Sequence, residues 1–152
     1  MGYIDENLLP GETVVYRAAL HWVIFVWPAV VLLLFLMLGL SALTRDMPGV
    51  GVVLLLIGVL PLLSAVMTYK TSEFAVTNRR VVVKVGVFRR RSLETLLQKI
   101  EGILVDQGIF GRIFGYGTII ISGTGGSKEP FPRISAPLDF RKRVQEQIGP
   151  VT

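Results

Sequence analysis

Seven cationic side chains lie between positions 70 and 91 of this 152-residue chain: Lys70, Arg79, Arg80, Lys84 and the run Arg89-Arg90-Arg91. Their shared chemistry is attraction for anionic groups, and an anionic lipid surface suits it. Each Lys or Arg beside such a surface contributes about 1 kcal/mol, fading within a Debye length of ~8 Å. The run 89–91 falls in a strand-like segment, so Arg89 and Arg91 share one face and Arg90 takes the other. A flank that only fixes membrane topology would carry the same residues, so selectivity for one headgroup does not follow. Nucleic acid is the other partner that basic residues suggest. These lack interleaved aromatics for stacking, and no nucleic-acid partner is expected.

Catalysis finds little footing. The chain has no cysteine and one histidine, His21, which leaves no thiolate nucleophile and no histidine cluster for a metal or a triad. Glu94, Glu101, Asp106 and Glu129 read as ordinary strand or turn carboxylates with nothing to pair them. The glycine-to-lysine spacing in 123–128 is wrong for a Walker loop, and no helix follows. Gly111, Gly115 and Gly117 miss the dinucleotide spacing too. Turns explain both runs. No enzyme activity, cofactor or metal is expected.

The elements that must position the basic residues start with two charge-free stretches. Residues 21–43 contain no Asp, Glu, Lys or Arg, and a helix of that length reaches about 34 Å, enough to cross a hydrocarbon core. Residues 49–69 are equally free of charge. Thr44-Arg45-Asp46-Met47-Pro48 separates them as a polar break, so 21–69 reads as a transmembrane hairpin. An acidic leader and an immediate second span argue against a cleaved signal peptide. Fourteen Lys/Arg follow residue 69 while the hairpin turn offers only Arg45. Both termini are therefore expected in the cytoplasm, with Trp22, Trp27 and Tyr69 as an aromatic belt at that interface. Gly51, Gly58 and Ala65 recur every seven residues and line one helix face, ready for close packing. The first span and a second copy of the chain are both candidate partners for that face, so a homo-oligomer stays open.

Beyond the hairpin, residues 70–149 read as a cytoplasmic β-rich domain. Strands are expected over 72–77, 80–85, 87–96, 100–107, 117–122 and 128–134, with a tight turn at Asn78-Arg79 and a glycine-rich tip at 123–127. A final helix would be capped by Ser135, begin with Pro137 and stop at Gly149-Pro150. Phe140, Val144 and Ile148 give it an apolar stripe to lay on a curled sheet. Residues 1–20 form a cytoplasmic N-terminal segment whose alternation over 13–20 reads as a further strand, free to return and pair with that sheet.

Thr77-Asn78-Arg79-Arg80-Val81-Val82 resembles a hairpin of bacterial pleckstrin-homology-like (bPH2) domains. Gln98-Lys99-Ile100-Glu101-Gly102-Ile103, Asp106-Gln107 and Gly111-Arg112-Ile113-Phe114-Gly115-Tyr116-Gly117-Thr118 are similar to a second stretch of that family. The resemblance covers roughly 70–148, and the two-span anchor is similar to that of small YdbS-like members. Thr95-Leu96-Leu97 departs from the Ile-Pro-Leu common before the Gln-Lys pair, so that turn differs. The resemblance implies an α+β membrane protein of the bacterial inner membrane. Its domain would be a pleckstrin-homology-like barrel or sandwich of two nearly orthogonal sheets closed by the C-terminal helix. The function expected is a non-enzymatic, membrane-anchored binding or scaffold module that meets anionic lipid headgroups and a protein partner. A subunit of an oligomeric complex for export of, or resistance to, a compound such as an antimicrobial peptide is the alternative.

Overall fold

The computed structural model describes residues 2–86, 91–126 and 128–149. Arg89 and Arg90, the start of the strand expected over 87–96, Ser127 of the glycine-rich tip and Pro150 lie outside the described residues. The chain divides into two units. One comprises residues 22–70; the other joins residues 1–21 to everything from 71 onward.

The first unit is a helical hairpin. A 3-10 turn, Trp22–Phe25, leads into α2 (Val26–Leu43), and α3 (Pro48–Thr71) follows. Pro48 belongs to α3, at a position where a missing N–H costs nothing. Both helices are long and apolar enough to cross a membrane, and only 17% of the residues in the most apolar window of either are buried. A core helix of a soluble domain would instead be mostly covered. Glycines bring the two helices together. A Cβ on Gly51 would stand 2.9 Å from the Gly39 carbonyl oxygen, and one on Gly58 would stand 2.6 Å from Phe35 Cβ. Gly51, Gly58 and Ala65 are the buried residues of α3. The Phe25 and Tyr69 rings, 5.2 Å apart, close the hairpin at its other end.

The second unit is α+β. A four-stranded antiparallel sheet runs in the order β1 (Val14–Ala18), β2 (Glu73–Thr77), β3 (Arg80–Val85), β4 (Arg91–Leu96). A three-stranded one runs β5 (Ile100–Asp106), β6 (Tyr116–Gly123), β7 (Lys128–Ser135). Of the barrel or sandwich anticipated from sequence, the described residues form two antiparallel sheets and no closed barrel. The two sheets stay separate and meet through packing, as where Phe74 of β2 and Phe131 of β7 stand edge to face at 6.3 Å. A single bridge, Leu20 to Ile134, adds to this. The N-terminal strand does reach the sheet, with Ala18 opposite Phe74 and Val14 opposite Thr77.

Between the sheets lie Phe74, Val76, Val81, Val83, Ile119, Ile121 and Ile134, nearly inaccessible to water, together with Phe140 and Val144 of α5 (Pro137–Ile148). Each such side chain contributes roughly 1.5–3 kcal/mol by its burial. A short N-terminal helix, α1 (Tyr3–Glu6), covers the opposite face of the four-stranded sheet, burying Ile4 against Ala75 and Val82. That second covering explains why β2 and β3 read as continuous apolar runs rather than alternating ones. Two expectations for α5 change. Ser135 is the last residue of β7 and caps nothing; Ala136 precedes the helix at φ +47° and makes no side-chain cap. Phe140 and Val144 are fully buried, but Ile148 is half exposed. A further helix, α4 (Ile109–Phe114), stands in a stretch where no element was expected.

Candidate binding surfaces

The basic residues are best placed by the turn between β2 and β3. The Thr77 hydroxyl accepts hydrogen bonds from the backbone N–H groups of Arg79 (3.2 Å) and Arg80 (3.0 Å), which fixes the turn, and donates to Glu12 Oε1 at 2.8 Å. Asn78 ties the turn to the N-terminal segment, its Oδ1 accepting from Thr13 N–H at 3.1 Å and its amide donating to the Gly11 carbonyl at 3.3 Å. Glu12 is buried and accepts from Arg80 Nε (2.9 Å), Arg80 Nη2 (3.0 Å) and the Leu9 N–H (2.7 Å). Arg80 also donates to the Asn7 carbonyl at 2.7 Å and pairs with Glu94. Burial alone would push the Glu12 carboxyl up; Arg80, the Leu9 N–H and the Thr77 hydroxyl overcome it and hold the group at about 2.

The Arg80 side chain is only 11% exposed, and its donors are spent within the fold. Arg79 is exposed at the end of β2 opposite to the one where the chain connects to the hairpin. Five residues of strand, roughly 13 Å at 3.3 Å per step, separate the two ends. Lys84 is at the near end, opposite Glu73, with its ammonium 4.2 Å from the centre of the Tyr3 ring. Arg91 pairs with Val85 at that same end of the sheet. Lys70 is exposed on the last turn of α3. Among the described basic positions of the sheet, Arg79 and Arg80 therefore lie at one end and Lys84 and Arg91 at the other. Of the three small residues of α3, Gly51 and Gly58 pack on the first helix of the same hairpin.

A groove that sequence reading missed lies between β5 and α5. β5 is an edge of its sheet, hydrogen-bonded only to β6. Beside it opens a hollow of about 750 Å³ lined by Ile100, Glu101, Gly102 and Ile103 of β5 and by Lys142, Gln145, Glu146 and Ile148 of α5. The backbone bulges between Ile100 and Gly102, and a Cβ on Gly102 would meet nothing within 4 Å. An exposed edge with an open glycine offers backbone donors and acceptors to another extended chain. The one sequence signal was the isolated glycine inside a strand pattern. Among the described residues, no group of three His, Asp or Glu could hold a metal, and every buried polar side-chain atom has a hydrogen-bond partner.

No curated protein and no solved structure matches the chain. A family model described as bacterial PH domain matches residues 23–148, taking in both long apolar helices as well as β2 to α5. With more than four-fifths of its length inside that match, the chain belongs to the bacterial PH domain family.

Proposed function

We propose that the protein is a non-enzymatic binding module anchored in a bacterial inner membrane, and that its β5 edge takes up an extended segment of a partner protein. The free edge beside α5 carries this reading. An added strand would gain main-chain hydrogen bonds from β5, while the hollow under Ile148 and Gln145 would receive alternate side chains. Lys142, Glu101 and Glu146 give the groove both signs of charge, which favours a peptide over a polyanion.

The anchoring rests on α2 and α3, whose apolar surfaces lack a protein cover. Both termini belong to the sheet-bearing unit, so two crossings put them on one side. The Lys/Arg excess on that side makes it the cytoplasm. Lys70, which ends the helical unit, and Lys84 would meet anionic headgroups. No observation favours the export or resistance complex, since the small-residue seam that would build it is occupied within the hairpin.

The test uses a photoreactive amino acid at Gly102 in the full-length protein in native membranes. A discrete protein adduct is expected, and Gln145→Trp, which fills the groove from an exposed helix position, should abolish it. An adduct pattern indifferent to Gln145→Trp, or one confined to lipid, would overturn the groove as the binding site.

A further inference from the structure

α4 inverts the usual disposition of a short helix. Three of its large apolar side chains point to solvent, with Ile109 78% exposed, Phe110 69% and Ile113 69%. Its buried residue is Gly111. The local chemistry holds this orientation firmly. A Cβ on Gly111 would stand 2.5 Å from the Tyr116 carbonyl oxygen, so only glycine lets the helix sit this close to β6. Gln107 Nε2 donates to that same carbonyl at 3.0 Å and to the Gly111 carbonyl at 3.4 Å. Gly115 ends the helix at φ +75°, and its carbonyl accepts from Ala136 N–H at 2.9 Å. Rotation that would bury Ile109, Phe110 and Ile113 is therefore blocked by backbone contacts. Three large apolar side chains on six residues, held outward, are more than scattered surface hydrophobics explain.

What covers them follows from where the chain leaves this unit. His21, the last residue before the apolar stretch Trp22–Thr44, donates its N–H to the Arg133 carbonyl at 2.7 Å. Its ring lies 5.2 Å from that of Tyr116, two residues past the end of α4. Arg112 and Arg133 are both exposed beside this point. An outward apolar face with flanking arginines, next to the start of a span, has the make-up of a segment that lies in the headgroup region.

We infer that α4 is an interfacial wedge, inserting Ile109, Phe110 and Ile113 into the bilayer surface beside the first span. This rests on the membrane-anchored reading above. The wedge would give the domain a third attachment and fix which of its faces looks toward the cytoplasm.

The chain has no cysteine, so Phe110→Cys, Ile113→Cys, Gly102→Cys and Leu36→Cys each give one labelling site. An environment-sensitive fluorophore on each full-length variant would be read in phosphatidylcholine/phosphatidylglycerol vesicles, against a shallow lipid-borne quencher and a water-soluble one. The labels at 110 and 113 should respond several-fold more to the lipid quencher than the label at 102, and should stay so as protein is diluted with excess lipid. Equal response to the aqueous quencher at 110, 113 and 102 would overturn the wedge. So would shielding from both quenchers, which indicates a protein partner, or shielding lost on dilution, which indicates a second copy. Lipid quenching at Leu36 without quenching at 110 defeats the wedge alone. Absence of lipid quenching at Leu36 defeats the anchored reading with it.

Discussion

Glu12 and Arg80 stand 68 residues apart in sequence, yet the carboxylate is buried on the guanidinium with Thr77 and the Leu9 N–H completing its shell. Removing one partner breaks this buried pair, which typically costs about 3–5 kcal/mol. Glu12→Ala should lower the unfolding free energy of the sheet-bearing unit by that order, measured by urea titration in detergent micelles, whereas Arg79→Ala should change it little. The acid response has a definite sign. The carboxyl titrates at about 2 in the folded chain against an ordinary 4.5, so its contribution is complete above about 4.5 and disappears as pH falls through about 2. Glu12→Gln should be less stable at neutral pH and show a shallower decline across that window; an unchanged acid slope would remove Glu12 from the account. No local pattern could reveal this pair. Arg80 sits in a basic neighbourhood, so its type and spacing suggest a surface, while its partner lies before a 49-residue hairpin.

At the scale of elements, legibility followed length and periodicity. β3 was read to the residue at both ends, because a β-branched run between a turn and a glycine leaves little choice. The two long helices were equally plain. α1 and α4 were not, having four and six residues, too few to show a period. α4 also interrupts its apolar residues with a glycine and turns them outward, against the rule by which helices are recognised. The Gly51-Gly58-Ala65 face was visible, but its partner was not, since a first span and a second copy make the same demand on α3. Because the first helix occupies the face, Gly58→Leu should spread the hairpin: a new side chain would begin 2.6 Å from Phe35 Cβ. Cysteines placed at Phe25 and Tyr69, whose rings lie 5.2 Å apart, should crosslink more slowly in that background. An unchanged rate would mean that the seam does not hold the helices together.

At the scale of the whole chain, the hairpin is an insertion between two neighbouring antiparallel strands. β1 ends and β2 begins at one end of the sheet, Ala18 opposite Phe74, so both connections to the hairpin leave the domain side by side. This gives the topology a sharp test, because the domain cannot be divided between two sides of a membrane without unpairing β1 from β2. Met47, exposed at the hairpin turn, and Thr124, exposed at the tip between β6 and β7, should therefore behave oppositely. With Met47→Cys and Thr124→Cys made separately, a membrane-impermeant maleimide applied to cells with a permeabilised outer membrane should label position 47 and spare position 124. Lysis should then expose position 124. The expected orientation follows from the fourteen Lys/Arg that come after residue 69, against Arg45 alone in the turn. Labelling of 124 alone in intact cells would reverse the topology and place the β5 edge and α4 in the periplasm. Labelling of both before lysis would mean that the helices do not cross.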